Sequence, residues 1–405
     1  MKYVVVLGDG MADLPLQELG GLTPLQKAKT PNMDFIAQNG RLGLVRTIPK
    51  GMTPSSDTAN LSVLGYDPER YYTSRSALEA TSLGLTLSEN DLAYRCNLVT
   101  LQGDIMLDHS SGEITTDEAK VLIEDLIKAL DIDTLQGVEL HAGTSYRHSL
   151  ILRNSSEGAV THPPHDYIGQ TWTNILPSGK HSELFNDLMK KSQEFLATHE
   201  INQKRIQEGK NPANSMWIWA EGTAPALPLF YDKYAKQGSV ISAVDLIKGL
   251  GLCAGFDAIR VVGATGTLNT NYAGKVAAAL EALDSRDFVY VHIEAPDECG
   301  HRGNIEEKLL AIEHVDQKVL APLIEGLNKR GEPYSIMVMP DHPTPISIRT
   351  HTDEPVPFAY YRSDGSVKGS GRNFDEANAE AMDDYIDKGY ELMGEFIGGI
   401  LCSYS

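Results

Sequence analysis

Cysteine is scarce in this chain: four in 405 residues, Cys96, Cys253, Cys299 and Cys402, far apart and without a CxxC pair. That spacing suggests neither a disulfide framework nor a thiolate zinc site and leaves ordinary buried thiols. Long apolar runs are missing too. The opening MKYVVVLGDGMAD sets one lysine before only about five apolar residues, too few for a signal segment, and no stretch approaches the roughly 18 uninterrupted apolar residues of a membrane span. The expectation is a cytosolic (cytoplasmic) protein. The third shortage is positive charge: 35 Lys and Arg stand against 55 Asp and Glu, a formal net charge of −20. Such a chain repels phosphate backbones and acidic lipid surfaces, which argues against nucleic-acid and membrane partners. An anionic substrate then requires a locally positive pocket, built from metal ions or a few placed Arg and Lys residues.

What is present suffices for a large core. With 41% hydrophobic residues, this length fits two or three domains, or one large domain with a smaller insert. Apolar, β-branched runs bounded by turn residues predict buried strands at Tyr3–Leu7, Ala258–Val262, Phe288–Ile293 and Ser335–Met339. Helical spacing marks Ile305–Leu327 and Phe374–Met393. This alternation predicts an α/β core with a mostly parallel sheet flanked by helices. From residue 92 to 219 the pattern changes to short apolar runs, a helix at Thr116–Leu130, a polar helix at Glu183–Leu196 and a polar connector at Asn202–Asn214. We expect an inserted α+β cap domain there, with residues 1–91 and 220–405 forming the core.

Three predicted strands run into acidic residues: Tyr3–Leu7 into Gly8-Asp9-Gly10, Phe288–Ile293 into Asp297, and Ser335–Met339 into Asp341-His342. In an open parallel sheet the carboxyl ends of the strands share one edge, so these carboxylates should converge. A single Asp after a strand usually caps a helix. Here histidines join them: His301 follows Asp297 by four residues, His342 follows Asp341, and His351 stands nearby. Burying so many ionisable groups is costly without compensating charge, and divalent cations held by mixed imidazole and carboxylate ligands supply it. A hydroxyl nucleophile is on offer in Thr53-Pro54-Ser55-Ser56-Asp57-Thr58-Ala59-Asn60. Its serines read first as a plain N-cap; the alternative is a nucleophile, where helix N–H groups attract an incoming phosphate and a metal lowers the hydroxyl pKa.

Seven motifs in order, GDGMAD, SSDTANLSVLGYDP, AYRCNLVTL, GATGTLNTNYAGK, APDECGH, PDH and THTDEPVPF, make this chain similar to cofactor-independent phosphoglycerate mutases of the archaeal type, which belong to the alkaline phosphatase superfamily. The resemblance runs from the first residues to about Phe358 and thins in the insert. It implies an alkaline-phosphatase-like core with an inserted cap and two divalent ions, Mn²⁺ first, with Zn²⁺, Co²⁺ or Mg²⁺ as alternatives. One ion is implied on Asp9, Ser56, Asp341 and His342, the other on Asp297, His301 and His351, with Ser56 as nucleophile. The implied reaction converts 3-phosphoglycerate to 2-phosphoglycerate through a phosphoserine, in a pocket that cap closure keeps dry.

For glycerate and phosphate, the resemblance points more loosely to Lys248 in the core and to Arg147, His148 and Asp166 in the insert, with Arg75 retained from a motif altered here to Ser74-Arg75-Ser76-Ala77-Leu78-Glu79-Ala80. Trp219-Ala220-Glu221-Gly222 stands where relatives commonly carry an Arg-Gly pair, and Asn269 replaces an expected Asp. These departures spare the implied metal ligands and leave a different phosphate acceptor open. The rival readings are a homoserine-kinase-like phosphotransferase, a plain phosphatase of the same superfamily, and a non-catalytic scaffold. The chain has no GxxxxGK[ST] loop and no kinase glycine loop for a nucleotide. Oligomeric state is open.

Overall fold

A computed structural model describes residues 1–398. The segment Gly398 to Cys402, expected as either a core strand or a subunit contact, lies outside the described residues from Gly399 onward. The chain forms two compact units, Met1–Tyr72 with Ala226–Ser405, and Thr73–Pro225. The divisions fall earlier than residue 92 and later than residue 219, where composition placed them. The reason is the helix Arg75–Ser82: its Ala77 and Ala80 pack against Ala93 and Ile151 of the inserted sheet.

Among the described residues the core sheet has eight strands in the order Asp257–Ile259, Gly238–Ile241, Phe288–Ile293, Lys2–Gly8, Tyr334–Met339, Val356–Arg362, Arg41–Val45, Tyr385–Ile386. Val356–Arg362 runs antiparallel to both neighbours and every other pairing is parallel. Val4, Val5, Val6 and Leu7 of the central strand are fully buried, as expected for a parallel sheet covered on both faces. Each such side chain contributes at most roughly 1.5–3 kcal/mol relative to exposure. Leu7 is in register with both His292 and Met339, so the residues that follow these three strands emerge side by side at one edge.

Two predicted helices are modified. Ile305–Arg330 is continuous but passes through a π-helical segment, Val315–Leu320, that ends two residues before Pro322, where the ring removes a donor and crowds the preceding turn. Asp316 in that segment accepts the N–H groups of Asn32 and Met33 at 2.9 and 2.8 Å, capping the helix Pro31–Asn39 from outside. Phe374–Met393 is not one helix. Only Glu376–Glu380 and, further on, Leu392–Ile397 are α-helical, separated by Asp383 at φ +53° and the short strand Tyr385–Ile386.

In the inserted unit Leu92–Gln102 is the central strand, paired antiparallel with Arg147–Leu152, Ser215–Thr223 and Ile105–Asp108, while Val138–His141 lies beyond Arg147–Leu152. The helices Thr116–Ala129 and Ser182–Leu196 bury Leu122, Leu126, Phe185 and Leu188 in one core with Trp217. The expected connector at Asn202–Asn214 begins as helix Glu200–Gln207, held because the Asn202 amide bonds Leu196 O and Ala213 O. Among the described residues Cys96 and Cys299 are free thiols, and no helix is long and apolar enough to cross a membrane.

Candidate metal centre

The edge formed by the central strands carries the acidic residues. Asp9 follows the first strand, and Gly10 turns the chain with φ +59°. A Cβ on Gly10 would collide with the Thr344 hydroxyl and would sit 2.6 Å from Asp297 Oδ1, so glycine is needed both for the left-handed turn and for close packing against the site. The Gly10 N–H donates to Asp341 Oδ1 at 3.1 Å. Asp341 Oδ2 accepts from the Asn60 amide at 2.8 Å, and Asn60 Oδ1 accepts from the Tyr290 hydroxyl.

Ser56 is the first residue of helix Ser56–Val63, after an extended Ser55 whose side chain makes no capping bond. Its Oγ lies 3.1 Å from His342 Nε2. The same nitrogen is 3.5 Å from Asp9 Oδ1 and 3.4 Å from Asp341 Oδ2. Asp9, Ser56, Asp341 and His342 are therefore gathered around one point. The other set is gathered as well. Asp297 and His301 occupy one face of helix Ala295–Arg302, with His301 Nε2 3.2 Å from Asp297 Oδ2. His351 Nε2 is 3.4 Å from Asp297 Oδ1 and 3.0 Å from His301 Nε2. The imidazoles of His342 and His351 lie with centroids 4.0 Å apart, and single donor atoms of Asp9, Asp297 and His342 come within 4.8 Å of one another, so the two sets adjoin.

These side chains fit divalent cations. Asp9, Asp297, Asp341 and His342 are buried, and Asp9 Oδ1 has no hydrogen-bond partner. Burial, with the charges of Asp341, Asp297 and Glu294, holds the Asp9 carboxyl well above the usual range. Burial also acts to raise Asp297, but hydrogen bonds from His301 and His351 outweigh it and hold that carboxyl well below the usual range. His301, bonded to Asp297, is pushed up to about 9. Carboxylates crowded in a dry site lack counter-charge, and a cation restores it.

Supporting residues surround the centre that the sequence reading did not single out. Lys308, fully buried, donates to Asp13 Oδ2 at 2.7 Å, Thr344 O at 2.8 Å and Ala12 O at 3.2 Å. The Thr344 hydroxyl donates to Asp297. His292, fully buried near the end of Phe288–Ile293, brings Nε2 to 3.0 Å from Asp9 Oδ2. The available signal was a histidine inside an otherwise apolar strand.

Lys248 lies on helix Asp245–Cys253 with Nζ 2.6 Å from Asp245 Oδ1. Arg75, Arg147, His148 and Asp166 belong to the inserted unit. His148 is buried in its sheet and its Nδ1 accepts the Gly143 N–H at 3.0 Å; burial pushes its imidazole down to about 3. Asp166 is exposed, 3.6 Å from His165. Arg75 Nε donates to Glu79 Oε1 at 3.0 Å, and Arg95 forms an ion pair with Glu79 Oε2 at 3.0 Å. Burial acts to raise Glu79, but Arg95, Arg75 and Arg147 overcome it. The Arg95 guanidinium stacks on Trp219 at 4.6 Å, which gives the unusual Trp219 a defined partner.

A family profile described as 2,3-bisphosphoglycerate-independent phosphoglycerate mutase matches residues 37–202. A 2,3-bisphosphoglycerate-independent phosphoglycerate mutase of Methanosarcina barkeri is 50% identical over 97% of this chain and 98% of its own length. A probable enzyme of the same name from Geobacter sulfurreducens is 49% identical over 97% of this chain and 98% of its own. Among solved structures, a Pyrococcus horikoshii protein superposes with a TM-score of 0.82 at 31% identity, covering 98% of this chain and 97% of its own. A cofactor-independent phosphoglycerate mutase from Thermoplasma acidophilum does so with a TM-score of 0.67 at 27% identity, covering 98% and 99%.

Proposed function

The chain belongs to the 2,3-bisphosphoglycerate-independent phosphoglycerate mutase family, and from that premise we propose that it interconverts 3-phosphoglycerate and 2-phosphoglycerate in the cytoplasm through a phosphoserine on Ser56. The observation that carries this reading is the Ser56 hydroxyl, at a helix N-terminus and 3.1 Å from His342 Nε2, among seven clustered donor residues. Asp9, Ser56, Asp341 and His342 would hold one divalent ion and Asp297, His301 and His351 a second, Mn²⁺ being the first choice and Zn²⁺, Co²⁺ or Mg²⁺ alternatives. Such ions, when bound, supply positive charge to the phosphoryl oxygens and lower the pKa of a nearby hydroxyl.

In the first half-reaction Ser56 Oγ loses its proton and attacks phosphorus in line; the P–O bond to the 3-oxygen breaks and that oxygen takes up a proton, so the count balances. The first N–H groups of helix Ser56–Val63 favour the phosphoryl charge. Asn60 and the Gly10 N–H fix both oxygens of Asp341, so the carboxylate need not reorganise during transfer. In the second half-reaction the 2-hydroxyl of the retained glycerate loses its proton and attacks the phosphoserine phosphorus; the P–Oγ bond breaks and Ser56 Oγ is reprotonated. Lys248, Arg147, His148, Asp166 and Arg75 are proposed for substrate recognition. Arg75, Arg95 and Arg147 around the single carboxylate of Glu79 support a cationic patch suited to an anion.

The test is conversion of 3-phosphoglycerate, coupled to enolase without added 2,3-bisphosphoglycerate, comparing wild type with Ser56→Ala, both loaded with Mn²⁺. We expect turnover that Ser56→Ala abolishes. Release of inorganic phosphate without 2-phosphoglycerate would overturn the mutase reading in favour of a phosphatase.

A further inference from the structure

His292 occupies a position that the seven-residue set does not explain. Its ring is fully buried at the end of a central strand, where polar atoms need partners. The backbone there is pinned, because Lys275, itself fully buried, donates its ammonium to His292 O at 2.9 Å. Ring Nδ1 is 3.2 Å from Ser242 Oγ, which also accepts the Val244 N–H at 2.9 Å. One nitrogen is thus held from the second row of residues, and the other faces the acidic edge.

That second nitrogen has no hydrogen bond. Nε2 lies 3.0 Å from Asp9 Oδ2, yet Oδ2 is off the line that an N–H would need, and Nε2 is without a partner. Asp9 Oδ1 is likewise without one. Two donors each about 2.1 Å from one cation and a right angle apart stand roughly 3 Å from each other without bonding to each other. Donor atoms of Asp9, His292 and Asp341 all lie within 4.8 Å of one another.

We propose that His292 is an additional inner-sphere ligand, through Nε2, of the divalent ion held by Asp9 and Asp341, with its Nδ1–H donated to Ser242. This rests on the two-ion reading above. Ser242 is then the outer partner that selects the tautomer, as outer hydrogen bonds do for ligating histidines. His292 would give the ion a ligand on strand Phe288–Ile293, tying it to the sheet as well as to the residues that follow the strands.

The experiment is Mn²⁺ binding to the full chain, by equilibrium dialysis with metal analysis, for wild type, His292→Ala and His292→Gln. We expect wild type to bind two ions, and both variants to lose roughly 10–100-fold in affinity at one of them while the other is unchanged. Restoration of wild-type affinity by His292→Gln, whose amide replaces an Nε2–H donor but not an imidazole ligand, would show a hydrogen bond to Asp9 instead and overturn the proposal. Unchanged binding in His292→Ala overturns it also, while leaving the two-ion reading intact. Wild type that takes up no Mn²⁺ overturns both. A measurement on wild type alone guards against unfolded variants: long-range ¹H–¹⁵N correlation with Zn²⁺ added should place the His292 proton on Nδ1, and a proton on Nε2 refutes the assignment.

Discussion

Replacing Lys308 by methionine tests how the acidic edge is supported. The Lys308 and Asp13 side chains are both fully inaccessible and their charges are 2.7 Å apart. The ammonium spends its three N–H groups on Asp13, Thr344 O and Ala12 O. Methionine fills similar volume but removes the cation. Ala12 O keeps the Thr344 N–H at 3.2 Å, so only Thr344 O is orphaned. Asp13 keeps the Leu14 N–H at 2.8 Å and the Ile346 N–H at 3.2 Å but loses its counter-charge. Breaking a buried pair from one side costs about 3–5 kcal/mol, mainly through the charge left behind. Urea unfolding followed by far-UV circular dichroism measures it, since Trp172, Trp217 and Trp219 all lie in the inserted unit and do not report on this pair. The double variant Lys308→Met, Asp13→Asn removes the stranded charge and should recover at least about 1 kcal/mol relative to Lys308→Met alone. A loss below about 1 kcal/mol, or a double variant no better than the single, refutes the reasoning. Because Thr344 links Lys308 to Asp297, Mn²⁺ affinity should also fall in Lys308→Met.

Three further outcomes follow from particular contacts. Gly10→Ala strains a left-handed residue by roughly 1–2 kcal/mol and drives a methyl group into Thr344 and Asp297; metal affinity should drop more than the melting temperature does, and equal affinity would count against a site packed this closely. Glu376 is pushed up to about 7 by burial, so between about pH 4.5 and 7 the unfolded chain has released a proton that the native carboxyl keeps. Stability should therefore fall as pH rises through that window, by about 3 kcal/mol in all, and Glu376→Gln should flatten the slope in pH-dependent unfolding. Arg95→Met removes one of the two arginines paired with the partly exposed Glu79, which keeps Arg75, and takes the guanidinium from Trp219. The inserted unit should lose about 1–2 kcal/mol with altered tryptophan emission, and an unchanged spectrum would contradict the stacking.

Much of the core was legible because burial on both faces writes itself as unbroken apolar runs. Phe288–Ile293 was bounded to the residue, and Tyr3–Leu7 and Ser335–Met339 to within one at either end. Ala258–Val262 was placed late: the strand is Asp257–Ile259. Phe374–Met393 misled because helical spacing says nothing of a left-handed Asp383 in its middle. The cap boundary misled because the helix Arg75–Ser82 carries no compositional mark of which sheet it covers.

By itself the sequence determined the sheet's central strands, the acidic residues at their ends and the order of the motifs, since these depend on local pattern and on the rule that parallel strands expose their carboxyl ends together. Only the tertiary structure decided that Lys308 neutralises Asp13 and that Asn60 and Gly10 hold Asp341. It alone turned His292 toward Asp9. Those contacts join residues hundreds of positions apart, and their energies come from burial and direction, which a linear spacing does not encode.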